Sequence, residues 1–323
     1  MVTSQTSSGS LTVDFGEEQL QIAGILYTAN IKPMLCHNDY LNIGGYIFVI
    51  TMERRYYTIV ASTEDVASMT MANYLINNRA FSQETNTNFL QSMHHQSIKL
   101  HVSNRSLLYL EDLDENYPDS IAFIFLSEHR SQKGIPTLTC HCTGNFGDNP
   151  YGGNPRELGI AYPYLQKQYL KTIVTLSALI PEYDVVIESS HHGPTSLKKP
   201  VLFIEIGSTE NQWTDRNSSS VVCESILKVI DNGLGSCDKV AIGLGGTHYP
   251  MKFNKLLLES EYGLAAVAAK HNLESVDKDM LDQMIMKSIE KVTHVIVDWK
   301  GLGSEKNRIM ELIGSTGLDI LRV

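Results

Sequence analysis

The chain has 323 residues, enough for one large domain or two ordinary ones, and its 42% apolar content supports a sizeable core. A net charge of −10 excludes a global positive field, so any contact with RNA has to come from a local basic patch. Five scattered cysteines exclude a dense disulfide framework. With no bilayer-length apolar run and no basic-then-apolar leader in MVTSQTSSGS, a soluble, cytoplasmic protein is expected.

The Ser/Thr/Gly-rich amino-terminal tip reads as disordered, and strand-like runs follow around Gln21–Tyr27 and Tyr46–Thr51. Beyond Met52 the apolar run Tyr56–Ala61 leads into Thr63-Glu64-Asp65 and then VASMTMANYLI at helical spacing. That strand–turn–helix is the normal opening of a doubly wound domain. Residues 1–51 are therefore expected to be an appended, partly disordered extension, and 52–323 a single α/β domain. Between Ala80 and Asp119 the pattern is weak, strand-like only at Ile98–Val102 and Leu107–Leu110.

Ile121–Leu126 is then a strongly apolar strand running into SEHRS, and Thr137–Cys142 a short one running into TGN and a Gly/Pro/Asn-rich loop. A helix is expected over Leu165–Ile180. The buried strands Val185–Ile187 and Val201–Ile204 end in SSHHGPT and EIGST. Helix Ser218–Asn232 and strand Lys239–Leu244, ending in GGTHY, come next. Phe253–Lys270 and Asp277–Lys291 read as helical, Thr293–Val297 as a strand ending in DWKG, and Ser304–Ile313 as the last helix before Asp319–Val323.

This alternation predicts an α/β fold with a mostly parallel or mixed sheet flanked by helices. If the strands are parallel, their six polar tails gather along one sheet edge, where open α/β sheets bind ligands. The tails carry His129, His141, His191, His192 and His248 with Glu205 and Asp298, a donor set suited to one or two Zn²⁺ ions. No HExxH or paired CxxC accompanies them. His191 and His192, if extended, point to opposite faces. His37, His94, His95, His101, His271 and His294 fall outside the tails and read as surface or packing residues. Cys140 and Cys142 read as buried and inert, Trp213 as packing, and Ser190 and Ser208 as turn or hydrogen-bonding residues. There is no GxGxxG, GxxxxGK[ST] or GxSxG; Gly243-x-Gly245-Gly246 is a tight turn. Arg130, Lys133, Lys198 and Lys199 either meet phosphates or form a solvated face.

Taken together, LSEHRS…GIPTLTCHCTGN, ESSHHGPTSLKKPVLFIEIGSTENQW, IGLGGTHY and VDWKG resemble, in order and spacing, the archaeal and plant type of D-aminoacyl-tRNA deacylase, from about Tyr56 onward. HCTGN departs from the family pattern, with Thr143 in place of a proline, and residues 1–51 have no counterpart there, being either a lineage-specific addition or a start set ahead of Met52. The resemblance implies a fold like that of nucleoside phosphorylases and peptidyl-tRNA hydrolase. It also implies zinc and hydrolysis of the ester joining a D-amino acid to the 3′-terminal ribose at the tRNA acceptor end.

On that footing His192, Glu205 and His191 are the expected catalytic residues. His129, His141, His191 and His248 are the expected metal ligands. Arg130, Gly193, Thr195, Gly246 and Lys300 are expected to contact substrate, with backbone N–H groups of Gly193 or Gly245–Gly246 stabilising the oxyanion. Water activation by the metal and by a histidine both stay open. So do two other functions: a zinc-dependent or phosphorylase-like hydrolase of a small nucleoside or amide, and a non-catalytic tRNA-binding module.

Overall fold

The structure is a computed structural model that describes residues 55–79 and 97–323 in full and, elsewhere, strand segments only. Contacts divide the chain into two units, 1–53 and 54–323. In the first, Val2–Ser4 pairs with Tyr27–Ala29, Gly9–Asp14 with Gln19–Gly24, and Asp39–Ile43 with Tyr46–Ile50, all antiparallel. The strand expected over Gln21–Tyr27 is thus two strands. The tip expected to be disordered carries strand at Val2–Ser4 and from Gly9 onward; its other residues lie outside the described ones, as do Thr51, His37, His94 and His95.

The second unit holds two sheets. The first contains β1 (Tyr56–Ser62), β2 (Ile98–Ser103), β3 (Ser120–Arg130), β4 (Thr137–His141), β5 (Asp184–Ile187) and β6 (Val201–Ser208). Their order is β5-β4-β6-β3-β1-β2, continued beyond β2 by Phe89–Ser92 and Phe81–Gln83. β6, β3, β1 and β2 are mutually parallel, but β4 runs antiparallel to β6, and β5 follows β4. The sheet is mixed. The second sheet, β7 (Lys239–Leu244), β8 (Tyr262–Ala268), β9 (His294–Val297) and β10 (Asp319–Arg322), is wholly parallel in the order β8-β7-β9-β10. The longer helices are α1 (Val66–Asn78), α2 (Pro163–Leu176), α3 (Arg216–Asp231), α4 (Met251–Glu259), α5 (Lys278–Met286) and α6 (Lys306–Gly314). Among the described residues no helix is long and apolar enough to cross a membrane.

Side-chain alternation along β3 and β6 explains how the first sheet is used. Ile124, Leu126, Leu202, Ile204 and Ile206 join one core cluster with residues of α1, α2 and α3. The opposite face begins apolar, with Phe123, Phe125, Val201 and Phe203 packed on Leu107, Leu110 and Tyr117. It then turns polar. α1 is anchored to this sheet by its N-cap: Asp65 accepts from the Ser68 N–H at 2.7 Å, and its second oxygen accepts from Ser127 Oγ at 2.9 Å and the Glu128 N–H at 2.8 Å.

Three sequence expectations need correction. Leu107–Tyr109 is a 3₁₀ turn covering the sheet, not a strand. The helix expected over Phe253–Lys270 stops at Glu259, and Tyr262–Ala268 is a strand; its alanines favour helix locally, but the parallel sheet buries the run on both faces and overrides that preference. The six tails do not share one edge, because β4 and β5 run opposite to β6 and β3.

Candidate active site

The polar half of the first sheet's face carries the site. Glu205 on β6 lies in register between Ser127 on β3 and Thr139 on β4, while His129 sits opposite Gly207 and His141 opposite Phe203. Residues two apart on a strand share a face, so His129, Glu205, Thr139 and His141 all point the same way. Gly207 makes room for this: a Cβ there would stand 2.8 Å from the His129 ring and 2.4 Å from its carbonyl oxygen. Glu188 enters from the end of β5, where the chain leaves the first sheet. Its neighbours Ser189 and Ser190 donate backbone N–H bonds to the His248 and Val267 carbonyls, both at 2.9 Å, tying this tail to the second sheet. His248 reaches the cluster from the loop after β7.

The two carboxylates organise the imidazoles. His129 Nδ1 lies 3.1 Å from Glu188 Oε1 and 3.3 Å from Glu205 Oε2, while the Tyr249 hydroxyl lies 2.8 Å from its Nε2. Glu188 Oε2 is 2.6 Å from His248 Nε2 and 3.2 Å from His191 Nε2. Glu205 Oε1 is 3.5 Å from His141 Nε2, and Thr139 Oγ1 donates to Oε2 at 3.2 Å. His192 adopts φ +46°, so the chain is not extended at the His-His pair, and both rings turn toward His141, at 4.0 and 4.8 Å between centroids. The expected opposition of His191 and His192 fails for that reason.

Burial and charge split these groups. Burial alone would depress His129, but hydrogen bonds and charges from Glu188 and Glu205 hold it up at about 10; the same opposition, with Glu205 winning, raises His141. Against their own burial, the histidines hold Glu205 down at about 2 and Glu188 well below the carboxylate range. Burial, with nearby imidazole charge, depresses His191 to about 4 and His192 well below the usual value. The His192 Nδ1 lies 2.7 Å from the Gly193 carbonyl, which assigns the proton to Nδ1 and leaves Nε2 a lone pair. His129, His141, Glu188 and Glu205 are buried, whereas His191, His192 and His248 are partly exposed and form the solvent side.

Such a group can hold a metal ion. Three sets have donor atoms within 4.8 Å of one another: His141, His191 and His192; Glu188, His191 and His248; His129, Glu188 and Glu205. The sets overlap at His191 and Glu188. Glu188 Oε1 and His191 Nε2 are buried, and although ring and carboxylate atoms lie near, neither makes a well-aimed hydrogen bond. Both are donor atoms of the kind a metal ion takes, and one held by this group would leave them satisfied.

Residues 116–321 match the family model of the D-aminoacyl-tRNA deacylases. The chain is 36% identical over 264 residues to the D-aminoacyl-tRNA deacylase of Staphylothermus marinus, covering 79% of this chain and 94% of that one. It is 33% identical over 272 residues to that of Pyrococcus furiosus, covering 82% and 98%. The chain belongs to this family. A crystal structure described as a conserved protein of unknown function, AF0625, superposes with a TM-score of 0.77 at 27% identity, covering 84% of this chain and 96% of that one.

For this member of the deacylase family, the structure gathers His129, His141, His191, His192, His248 and Glu205 into one group, and leaves other expected residues outside it. Asp298 pairs with Lys252 at 2.7 Å and accepts from the Gly301 N–H. Arg130 is exposed, bonded to Glu128 and lying 4.7 Å over the Trp213 ring, whose Nε1 donates to the His129 carbonyl at 3.1 Å. Thr195 Oγ1 donates to Glu157 at 2.8 Å and accepts from the Asn154 N–H, clamping its own loop. The N–H groups of Gly193 and Gly245 donate to the Tyr151 and Ala268 carbonyls, so neither is free for an oxyanion. Gly246 packs against Gly301, and Lys300 is exposed. Cys140 and Cys142 are buried, with burial raising both thiols. His101 bonds Tyr117, and His294 bonds Thr293.

Sequence reasoning missed Glu188, Tyr249 and Gly207. Glu188 had a signal: a carboxylate directly after a buried strand, within the very tail that supplies two histidines. Gly207 had one too, since a glycine inside a buried strand marks a close approach.

Proposed function

We propose that this cluster is the centre at which the chain hydrolyses the ester between a D-amino acid and the 3′-terminal ribose of tRNA, releasing the free amino acid and the tRNA. The observation that carries the reading is the joining of four imidazoles by two buried carboxylates, with the His192 ring against two of them, in a chain of the deacylase family. The metal is Zn²⁺, one or two ions, for which imidazole nitrogen and carboxylate oxygen are ordinary ligands. His129, His141, His191 and His248, with Glu188 and Glu205, would hold it. Bound zinc supplies Lewis-acid polarisation of a carbonyl and a lowered pKa for water.

The chain's own residues divide the remaining work. His192, neutral and with Nε2 unprotonated, is the group that takes the proton from the attacking water. Glu205, held at about 2, is too weak a base for that task; it orients His129 and His141 and offsets positive charge. His191 sits between the buried carboxylate and the solvent side, where the ester enters. Arg130 and Lys300 lie outside the cluster as contacts for the acceptor end, and the clamp at Thr195 and Gly193 fixes the loop that carries both histidines. Residues 1–51 are an addition to a catalytic unit spanning 52–323, and the site of action is the cytoplasm, where tRNA is charged.

Release of labelled D-tyrosine from D-Tyr-tRNA, beside L-Tyr-tRNA and a chelator arm, tests this. Loss of the D-ester alone, suppressed by chelator and restored by Zn²⁺, is expected. D-selective turnover in protein shown to be metal-free moves the chemistry to His192 alone. No turnover by folded protein overturns the function. His192→Ala or Glu205→Ala should each cost at least about a hundredfold in rate; near-native rates in both would overturn the site.

A further inference from the structure

An acidic chain that handles tRNA needs a place where its own field is reversed. The loops after β7 and β9 pack closely: a Cβ on Gly301 would lie 2.3 Å from the Gly246 nitrogen. His248 follows Gly246 by two residues, at most about 7 Å of chain. The loop after β9 carries Trp299 and Lys300. Lys306 Nζ stands 4.3 Å and the Arg322 guanidinium 4.0 Å from the Trp299 ring centroid. Lys270 joins them, its N–H donating to the Gly246 carbonyl at 2.9 Å and its side chain crossing Gly303.

Among the described residues none of Lys270, Lys300, Lys306 and Arg322 forms an ion pair with a carboxylate. Neighbouring cations do: Lys252 with Asp298, and Arg308 with Glu305. The acidic groups on the same elements, Glu274 on the 3₁₀ turn Lys270–Ser275, Glu311 on α6 and Asp319 on β10, are exposed, and Asp319 faces His294 at 3.7 Å. Two cations against one indole, with Lys270 and Lys300 on the adjoining loops and none of the four in an ion pair, make a local positive surface in a protein of net charge −10, the kind of surface a polyanion uses.

We infer that the Trp299 surface, with Lys270, Lys300, Lys306 and Arg322, binds the phosphate backbone of the tRNA acceptor arm beside the histidine cluster. The inference rests on the deacylase reading for the identity of its polyanion. Lys306 and Arg322, held against the ring, are pre-positioned as phosphate contacts, and the backbone runs from them past Gly246 toward His248. Both faces of Trp299 need not be open to bases, since phosphate contact alone supplies affinity without sequence preference.

The test is binding of uncharged tRNA to the full chain over a salt series, which requires no turnover. The Lys306→Ala/Arg322→Ala variant should bind roughly tenfold or more weakly at 0.1 M salt, with a log–log salt slope smaller by about 2. The charge-keeping Lys306→Arg/Arg322→Lys variant should bind like the wild type. Equal affinity and slope in the alanine variant, a charge-keeping variant as weak as the alanine one, or a wild type that does not retain tRNA each overturns the inference. A wild type that binds through this surface but never cleaves the D-ester sustains the inference and defeats the deacylase reading. Cleavage with an indifferent alanine variant does the reverse.

Discussion

The two sheets solve the same packing problem differently. In the second, β7 and β8 bury nearly every side chain, and whatever is polar waits for the loop after the strand, as with His248. In the first, the polar groups sit inside the strands: His129 and Glu205 occupy buried sheet positions where Phe125 and Phe203 stand two or four residues earlier. An uncompensated charge at such a position is expensive. It persists here because each carboxylate is surrounded by imidazoles. Chemistry at strand ends is inexpensive and adjustable; chemistry on a buried face is rigid, and every member depends on the others.

That dependence predicts the largest effect. Glu188 touches His129, His191 and His248, more ring partners than Glu205 has, and all from a buried position. Glu188→Ala should lower kcat/KM for D-aminoacyl-tRNA by about a thousandfold or more, exceeding the loss in Glu205→Ala. Metal content of the purified variant, measured by elemental analysis, should fall in parallel. A Glu188→Ala protein with near-native rate and full metal would show that the sheet-face carboxylates are structural, and the contrast between the sheets would lose its functional meaning.

The same contrast explains what was legible in the sequence. Apolar runs and their polar tails are local features, so most strands of the two sheets, the helix starts near Asp65 and Asp277, and the five histidines could be read directly. Strand direction is not local. Nothing in TLTCHC states that β4 runs against β6, yet that reversal is what brings His141 across to Glu205 rather than to the far end of the sheet. Glu188 was overlooked because a carboxylate at a strand end is usually solvated; its meaning appears only when three rings from other segments close on it. His191 and His192 converge through a left-handed residue at a non-glycine position, which spacing alone does not announce. The helix expected through Tyr262–Ala268 failed for the opposite reason, as tertiary burial outweighed a local preference of its alanines.

A core substitution in the second sheet should separate stability from chemistry. Ile242 on β7 is fully buried between the layers. Ile242→Ala should cost about 2–5 kcal/mol of unfolding free energy in chemical denaturation. The folded fraction should keep the wild-type kcat, because no cluster member is carried by the middle of that strand. A large loss of kcat with little change in stability would mean that the second sheet shapes the reaction through its packing, and that the division drawn between the sheets is wrong.

The smallest effect joins the two regions. Tyr249 belongs to the second sheet's loop, yet its hydroxyl lies 2.8 Å from His129 Nε2, the ring atom facing away from Glu188 and Glu205. Its role is to hold the ring angle that presents Nδ1 to both carboxylates. Tyr249→Phe keeps the ring packing, 5.7 Å from His129 between centroids, and removes only the hydroxyl. Loss of a partner that orients a ligand typically costs about 10- to 100-fold in metal affinity or activity. The lower end is expected here, because His129 keeps two carboxylate contacts. The loss should fall in kcat with KM little changed, since the hydroxyl is turned toward His129. A rise in KM with kcat intact would instead make Tyr249 a substrate contact, and the second sheet's tips would then serve binding alone.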